Sequence, residues 1–234
     1  MKIIILTGGK GTRLQHLVKD RPKPMALVNN RPFLEYLLLN LKQQGFKDII
    51  LTLGYKGNYI RKHFGTGQKF GLHLQYVYEK KLLGTGGAVR NVSQKYSLGK
   101  DFIIINGDCY TNVNIKKLIE THKQNKSLAT LALVNYKNPD RYGLVQTRGS
   151  KIVKFQEKKI IQGRAKINAG IYVFSRQVLK HFPDQRVISL ETEVFPNLIK
   201  YQLHSHTFNC YFIDIGVEKD FFQAQKDLAL IKLS

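Results

Sequence analysis

The chain lacks the features of a secreted or membrane-spanning protein. It has only two cysteines in 234 residues, Cys109 and Cys210, which build neither a disulfide framework nor a metal-ligand cluster. No apolar run approaches the length of a membrane-spanning helix. The opening residues 1–6 are too short for a signal peptide. We therefore expect a cytoplasmic protein without a membrane partner.

Acidic residues are also scarce. The chain has 16 Asp and Glu against 38 Lys and Arg, which gives a net charge of +22. Such a charge is typical of proteins that bind nucleic acids. The lysines are nevertheless dispersed, and no arginine-rich segment or recognisable binding module is present. We favour a solvated basic surface with polyanionic substrates over a nucleic-acid partner, and the sequence leaves open whether the chain forms a homo-oligomer.

Alternating strand-like and helical patterns indicate an α/β fold. Pro32 is suited to begin a helix and Gly45 to end it, and a packing helix is expected over residues 219–233. Strands are predicted at residues 2–7, 48–53, 74–79, 102–106, 128–134, 144–147, 152–156, 169–174 and 207–213. The alternation predicts a mostly parallel sheet covered on both faces, with a mixed-sheet extension over residues 128–174.

The most informative segment is LTGGKGTRL, residues 6–14, which follows an apolar strand and precedes PKPM at residues 22–25. Glycines allow the backbone to approach a ligand closely, and successive N–H groups form an anion-binding concavity. Arg13 and Lys23 add two positive charges, so the segment suits a nucleoside triphosphate. It is neither a Walker loop, which ends in Gly-Lys-Ser/Thr, nor the dinucleotide G-x-G-x-x-G loop.

Both segments resemble the signature of the sugar nucleotidyltransferases, roughly G-G-x-G-T-R-L followed by P-K-P-M/L. Thr7 stands where this family more often has Ala. The resemblance extends from residue 1 to about residue 225. It implies the nucleotide-diphospho-sugar transferase fold, a Rossmann-like three-layer α/β fold with a mixed, mostly parallel sheet flanked by helices. Many relatives continue into a β-helix of hexapeptide repeats, which this sequence does not contain, so we expect a single catalytic domain over residues 1–234.

The resemblance implies a nucleotide-binding half with Arg13, Lys23 and Asp108 as catalytic residues. The segment EKKLLGTGGA, residues 79–88, is similar to the family's E-x-x-x-L-G-T-x-G segment, which packs on the nucleobase. The implied nucleotide-binding residues are Leu6, Thr7, Gly8, Gly9, Gly11, Thr12, Arg13, Lys23, Glu79, Gly84 and Thr85.

Glu79 indicates which base is bound. A carboxylate accepts two hydrogen bonds, and guanine offers two adjacent donors where uracil and thymine offer one. We therefore expect GTP to be preferred over other nucleoside triphosphates. A surface glutamate at a strand end is the alternative, and relatives with other bases also carry Glu near this position.

Two carboxylates end apolar strands, Asp108 in FIIINGD and Asp214 in FIDIG. An Asp after a strand is commonly a helix N-cap. In the family, however, the matching Gly-Asp and D-x-G segments carry the ligands of Mg²⁺. Mg²⁺ takes one or two carboxylates and completes its shell with phosphate and water, so the resemblance implies a magnesium site at Asp108 and Asp214.

The sugar-phosphate half is implied by three weaker segments. VKFQEKK resembles F-x-E-K-P with Lys159 in place of Pro, NAGIYVF resembles N-x-G-I-Y-x-F, and Tyr142-Gly143 resembles a Y-G segment. A charged strand end and a turn asparagine are the alternatives for the first two. We interpret His204 and His206 as structural or exposed. The implied sugar-phosphate residues are Gly107, Tyr142, Gly143, Glu157, Lys158 and Asn168.

These features together predict a magnesium-dependent transfer of a nucleoside monophosphate to a sugar 1-phosphate, with release of pyrophosphate. The chain resembles the branch of the family that guanylylates D-glycero-α-D-manno-heptose 1-phosphate for cell-surface polysaccharides. Mannose, glucose or amino-sugar 1-phosphates with another triphosphate stay open. A nucleotide-sugar-dependent glycosyltransferase would need an Asp-x-Asp motif, which Asp108-Cys109-Tyr110 lacks. A basic nucleotide- or RNA-binding module would not need Asp108, Asp214 and Lys158.

Overall fold

The structure is a computed structural model that describes residues 1–156 and 162–231. The strands are β1 (Ile3–Leu6), β2 (Leu27–Val28), β3 (Arg31–Pro32), β4 (Asp48–Leu53), β5 (His73–Tyr78), β6 (Asp101–Asn106), β7 (Cys109–Thr111), β8 (Ala129–Lys137), β9 (Leu144–Arg148), β10 (Lys151–Gln156), β11 (Arg164–Ser175), β12 (Leu203–Phe208) and β13 (Phe212–Asp214). The α-helices are α1 (Phe33–Gln43), α2 (Gly57–Phe64), α3 (Gly84–Lys95), α4 (Ile115–Gln124), α5 (Phe195–Leu198) and α6 (Glu218–Leu228). Among the described residues, none of these helices has the length and apolar character needed to cross a bilayer.

The described residues form two compact units. The first contains Met1–Leu82, Ile105–Thr111 and the described residues from Phe212 onwards. The second contains Leu83–Ile104 and the described part of Asn112–Tyr211. The single catalytic domain expected over residues 1–234 stays a prediction.

Three parallel strands form the centre of the first unit, in the order β5–β4–β1. Ile3 pairs with Ile49, and Asp48 pairs with His73. The Ile side chains of β1 are fully buried, as expected for a parallel strand covered on both faces. Because the strands run the same way, their carboxyl ends lie at one edge, where ligands bind in open α/β sheets. The segments that follow β1, β4 and β5 therefore begin at this edge.

Helix α1 begins and ends where the sequence predicts. Pro32 directly precedes its first residue, a position where the missing N–H group has no cost. Gly45 has a φ of 88°. The Gly45 N–H donates to the Lys42 carbonyl and the Phe46 N–H to the Leu41 carbonyl, both at 2.9 Å. This is a Schellman ending, which favours glycine at the left-handed residue.

The second unit confirms the predicted mixed-sheet extension. Its strand order is β11–β8–β12–β10–β9. Strands β8 and β12 are parallel, whereas β8 is antiparallel to β11, and β10 is antiparallel to both β9 and β12. The register of β11 shifts between Asn168 and Tyr172, and Gly170 within the shift has a φ of 71°. A glycine is well suited to such a bulge because it adopts positive φ without strain.

Two predicted elements near the carboxyl terminus were wrong in extent. The expected strand over residues 207–213 is two strands, because β12 ends at Phe208 and β13 begins at Phe212. The Tyr211 N–H between them donates to the Asn112 side chain at 2.9 Å. Helix α6 ends at Leu228, earlier than expected.

The two histidines of β12 have structural partners, as the sequence interpretation expected. The Nδ1 atom of His204 lies 2.9 Å from the Ser127 hydroxyl, and that of His206 lies 2.9 Å from the Thr121 hydroxyl. Burial lowers the pKa of both imidazoles. These neutral imidazoles with hydroxyl partners belong to the packing of β12 against α4 and against Ser127, which follows α4, in the second unit.

Candidate active site

The glycine loop starts against strand β4. Thr7 is buried, its N–H donates to the Thr52 hydroxyl at 3.3 Å, and its own hydroxyl donates to the Thr52 carbonyl. A Cβ atom on Gly54 would lie 2.3 Å from the Gly8 carbonyl oxygen. Gly54, which the sequence analysis did not single out, therefore allows the loop to lie directly on the end of β4. The only sequence signal was a glycine immediately after a predicted strand.

Glu79 lies against the same loop. It follows β5, and its N–H donates to the Leu53 carbonyl at 2.8 Å. A Cβ atom on Gly8 would lie 2.8 Å from Glu79 Oε1. The absence of a side chain at Gly8 thus leaves room for the Glu79 carboxylate. The structure places the Glu79 carboxylate beside the glycine loop, and its role in selecting the base stays a prediction.

Lys23 packs along the other end of the loop. Gly11 has a φ of 62°, and a Cβ atom there would lie 2.7 Å from Lys23 Cβ. Lys23 begins the short 3-10 helix Lys23–Met25, and its side chain is only 10% exposed. A residue other than glycine at position 11 would be strained and would also displace the Lys23 side chain.

Lys23 joins two carboxylates that are distant in sequence. Its Nζ atom lies 2.7 Å from Asp108 Oδ2 and 3.8 Å from Asp214 Oδ1. Antiparallel pairing of β7 and β13 places Asp214 opposite Cys109, and the Ile215 N–H donates to the Asp108 carbonyl at 3.1 Å. We call Lys23, Asp108 and Asp214 the Lys23 cluster. It unites one predicted catalytic lysine with both predicted metal ligands.

The Lys23 cluster is charged at neutral pH. Burial lowers the pKa of Lys23, but Asp108 and Asp214 outweigh it and raise the pKa above its ordinary 10.5. Burial likewise raises the pKa of Asp108, but the charge and hydrogen bond of Lys23 bring it below 3.8. The stabilisation from Asp108 is therefore present above pH 3.8 and is lost as the pH falls through its lowered pKa. The stabilisation from Lys23 is present below pH 10.5 and is lost as the pH rises through the raised pKa of Lys23.

Cys109 is a buried neighbour of the cluster. Its thiol donates to Asp108 Oδ1 at 3.6 Å. Burial, followed by the charges of Asp108 and Asp214, raises the pKa of the Cys109 thiol well above its ordinary value. The thiol therefore stays protonated and serves as a hydrogen-bond donor to Asp108.

Gly107 lies beside the start of the glycine loop. Its N–H donates to the Leu6 carbonyl at 3.0 Å, and a Cβ atom on it would lie 2.6 Å from Thr7 Cγ2. Because Gly107 immediately precedes Asp108, this contact fixes where the carboxylate begins relative to the loop. The role of Gly107 toward a sugar phosphate stays a prediction.

The tip of the loop is open. Gly9, Thr12 and Arg13 are exposed, whereas Leu14 is 1% exposed and anchors the 3-10 helix Thr12–Leu14. Anchoring by Leu14 holds the short helix while the Arg13 guanidinium faces solvent. An exposed arginine at the carboxyl edge of β1 is suited to meet an anionic ligand.

The second glycine segment lies in the other unit and packs on residue 188. Gly84 has a φ of 71°, and a Cβ atom there would lie 2.4 Å from the Ile188 carbonyl oxygen. The Gly86 N–H donates to that same carbonyl at 2.8 Å. Packing within the unit therefore already requires glycine here. Thr85 donates its hydroxyl proton to Glu191 Oε2 at 2.7 Å.

The predicted sugar-side residues Tyr142, Gly143 and Asn168 also lie in the second unit. The Tyr142 hydroxyl accepts a hydrogen bond from Arg141 at 2.6 Å. A Cβ atom on the exposed Gly143 would lie 3.5 Å from the Gln156 carbonyl oxygen.

Asn168 opens the bulge of β11. Its side-chain amide donates to the Tyr172 hydroxyl, and its oxygen accepts from the Gly170 N–H, both at 2.9 Å. Glu157 and Lys158 lie outside the described residues.

Comparison with known proteins identifies the family. The model of the family described as Nucleotidyl transferase matches residues 2–230. The chain belongs to this family. It is 37% identical over 222 residues to D-glycero-alpha-D-manno-heptose 1-phosphate guanylyltransferase of Campylobacter jejuni subsp. jejuni serotype O:2, covering 95% of this chain and 97% of that protein. It is 36% identical over 229 residues to mannose-1-phosphate guanylyltransferase of Mycobacterium tuberculosis, covering 96% of this chain and 64% of that protein.

A solved structure is similar to this chain over nearly its whole length. The crystal structure of HddC from Yersinia pseudotuberculosis complexed with GMP-PN has a TM-score of 0.85 and 32% identity, with 97% of this chain and 99% of that chain covered. The predicted nucleotide-diphospho-sugar transferase fold is thereby confirmed. The predicted nucleotidyltransferase activity class is also confirmed, in preference to a glycosyltransferase or a basic binding module.

We expect Gly54→Ala to weaken binding of the triphosphate to this nucleotidyltransferase. The added methyl group would meet the Gly8 carbonyl oxygen at 2.3 Å and its Cα at 2.9 Å, so the loop must move. Misplacement of binding groups by about 1 Å costs up to roughly 100-fold in rate, and we expect a loss of at least about tenfold in kcat/KM for the triphosphate.

The control for this variant is Gly45→Ala. Gly45 has a φ of 88° and nothing within 4 Å of an added Cβ, so the substitution introduces backbone strain away from the loop. It should lower Tm and leave kcat/KM within about twofold of wild type. Equal kinetic losses in the two variants would contradict the role given to Gly54.

Proposed function

We propose that the protein transfers GMP from GTP to a manno-configured sugar 1-phosphate, with D-glycero-α-D-manno-heptose 1-phosphate as the preferred acceptor. The products are the GDP-sugar and pyrophosphate. The observation that carries the proposal is the near full-length similarity to the Campylobacter heptose guanylyltransferase. The Mycobacterium relative is a guanylyltransferase of mannose 1-phosphate, so the two relatives share the base and differ in the sugar. Mannose 1-phosphate is therefore the second candidate acceptor.

The proposed reaction does not depend on acid–base catalysis. An oxygen of the sugar 1-phosphate attacks the α-phosphorus of GTP in line, and pyrophosphate leaves. The attacking oxygen is already an anion, so no general base is needed. The obstacle is the approach of two polyanions, and positioning with charge neutralisation supplies the catalysis.

We assign the positive charges to separate phosphate groups. Arg13, exposed at the tip of the loop, holds the departing β- and γ-phosphates together with loop N–H groups. Lys23 offsets charge on the α-phosphate, and its Nζ is fixed by Asp108 at 2.7 Å. A preorganised charge needs no reorganisation during the reaction, which makes it effective in the transition state.

The Lys23 cluster fits a magnesium ion. Two carboxylates converge on one ammonium, with the Asp108 and Asp214 side chains 39% and 18% exposed. Mg²⁺ binds through one or two carboxylates and keeps its other positions for phosphate oxygens and water. Asp108 and Asp214 would hold it, and when bound it neutralises phosphate charge.

The sugar half of the proposal rests on Gly107, Tyr142, Gly143 and Asn168, together with Glu157 and Lys158. These residues would orient the sugar hydroxyls and its phosphate, as the family resemblance implies. Residues 1–234 would act as one catalytic domain. A cytoplasmic location and a role in cell-surface polysaccharide synthesis also stay predictions.

Pyrophosphate release with each of the four nucleoside triphosphates tests the proposal. The acceptors are heptose, mannose, glucose and amino-sugar 1-phosphates, each assayed with Mg²⁺ and after chelation. We expect the highest kcat/KM for GTP with heptose 1-phosphate and no turnover after chelation. A preference for UTP or CTP would overturn the guanine assignment, and a better acceptor among the other sugars would overturn the heptose assignment.

Glu79→Gln should narrow the selectivity for GTP. An unpaired buried hydrogen-bonding group costs about 1–3 kcal/mol, so wild type should prefer GTP over UTP by more than about tenfold. Glutamine replaces one acceptor by a donor and loses the match to the two donors of guanine. The ratio of kcat/KM for GTP and UTP measures the effect.

Glu120→Gln is the control for Glu79→Gln. Glu120 is an exposed residue of α4, paired with Lys117. This substitution should leave the GTP to UTP ratio unchanged. An unchanged ratio in Glu79→Gln as well would mean that Glu79 does not select the base.

A further inference from the structure

A carboxylate outside the motifs that the sequence analysis identified organises the predicted ligand-binding segments of the second unit. Glu191 lies in the π-helical turn Leu190–Val194. Its Oε2 atom accepts hydrogen bonds from the Thr85 hydroxyl at 2.7 Å and the Ser189 hydroxyl at 3.3 Å. The Leu190 N–H in turn donates to the Thr85 hydroxyl at 2.8 Å. Thr85 is thereby held by both hydrogen-bonding functions of its hydroxyl group.

The other oxygen of Glu191 faces the bulge of β11. The Tyr172 hydroxyl donates to Glu191 Oε1 at 3.5 Å and accepts from the Asn168 side-chain amide at 2.9 Å. The Gly170 N–H donates to the Asn168 oxygen at 2.9 Å. The Tyr172 ring is fully buried and packs edge-on against Phe195, so its hydroxyl has little freedom to move. Tyr172 therefore transmits the position of Glu191 to Asn168.

We infer that Glu191 is a positioning residue that fixes Thr85 through one oxygen and Asn168, by way of Tyr172, through the other. The inference rests on the proposed function, in which Gly84 and Thr85 belong to the nucleotide half and Asn168 to the sugar half. Loss of Glu191 then weakens the binding of both substrates, although Glu191 itself contacts neither of them.

The hydrogen-bond inventory explains why a carboxylate occupies this position. Three hydroxyl groups, those of Thr85, Ser189 and Tyr172, all point their protons at Glu191. A carboxylate is acceptor-only and can take all three, whereas a glutamine offers one acceptor oxygen and presents N–H donors on its other side. Glutamine can keep the hydrogen bonds from the Thr85 and Ser189 hydroxyls, but it offers no acceptor oxygen to the Tyr172 hydroxyl.

Glu193 provides a matched comparison two residues further on. Its Oε2 atom accepts from the Ser189 N–H at 2.7 Å, and its Oε1 atom accepts from the Gln185 side chain. Both partners precede the turn Leu190–Val194 in the chain, and neither is a predicted ligand-binding residue. Glu193→Gln should therefore lower Tm and leave the ratio of the KM values for the sugar 1-phosphate and GTP unchanged.

The test is steady-state kinetics with varied sugar 1-phosphate and GTP, together with Tm. We expect Glu191→Gln to raise KM for the sugar 1-phosphate by about three- to tenfold, the range of one lost hydrogen bond, with a smaller change in KM for GTP. Tyr172→Phe, which keeps the ring, should reproduce that pattern. Thr85→Val should instead raise KM for GTP, whereas Thr85→Ser, which keeps the hydroxyl group, should have the KM of the wild type.

Two outcomes would overturn the inference. One is a Glu191→Gln enzyme that loses Tm as Glu193→Gln does but keeps both KM values at wild-type levels. Another is a Tyr172→Phe enzyme with an unchanged KM for the sugar phosphate. Failure of the proposed function is separable, because it would appear in the wild-type enzyme as absent turnover or a different substrate preference.

Discussion

Asp108→Asn is expected to lower kcat for pyrophosphate release by about 100-fold or more, the usual result of removing one preorganised charge from a catalytic site. The asparagine keeps the shape of the side chain but removes the charge that lies 2.7 Å from Lys23 Nζ. It also removes one of the two carboxylates proposed to hold Mg²⁺. The chain should still fold, because the carbonyl of residue 108 keeps its bond from the Ile215 N–H.

The measurement is kcat at saturating GTP and sugar 1-phosphate over a range of Mg²⁺ concentrations, with circular dichroism to confirm folding. Asp184→Asn is the control, since Asp184 is an exposed residue of the second unit. We expect it to retain wild-type turnover. Near-native turnover of Asp108→Asn would remove Asp108 from the catalytic machinery and with it the proposed metal site.

The sequence predicted those parts of the site that follow from local patterns. The glycine loop, the helix limits at Pro32 and Gly45, and the strand before Asp108 all come from residues that are close together in the chain. Local rules are reliable there because glycine and proline restrict the backbone wherever they occur. The convergence of Lys23 and Asp108, 85 residues apart, was implied by family resemblance rather than by any local rule.

Contacts across long sequence separations explain what the sequence did not reveal. Gly54 must be a glycine because the parallel pairing of β1 and β4 brings the Gly8 carbonyl against it. A single glycine after a predicted strand does not indicate which segment will approach it. Glu191 binds a threonine that is 106 residues away. A glutamate by itself is typical of an exposed position, so the hydrogen-bonding role of Glu191 emerges only from tertiary structure.

The predicted strand over residues 207–213 shows the same limit. β-Branched and aromatic residues on both sides of the break favour a strand throughout. The tertiary contact between the Tyr211 N–H and the Asn112 side chain interrupts it. That break separates β12, in the second unit, from β13, which delivers Asp214 in the first.

Lys23→Met is expected to reduce kcat by about 100-fold or more, because it removes the charge offered to the α-phosphate while keeping a side chain of similar length along Gly11. Its effect on stability should depend on pH. At neutral pH Asp108 and Asp214 lose the ammonium that both approach, and the loss of one partner from a partly buried ion pair is destabilising.

The sign of that dependence follows from the pKa of Asp108, which Lys23 holds below 3.8. The stabilisation exists above this value and disappears as acid protonates the carboxylate. The Tm difference between wild type and Lys23→Met should therefore be largest at neutral pH and shrink as the pH falls through the lowered pKa. Lys62→Met, on the exposed face of α2, is the control and should lower neither kcat nor Tm appreciably. A Tm difference that stays constant down to acid pH would show that the loss comes from packing and not from the charge of the Lys23 cluster.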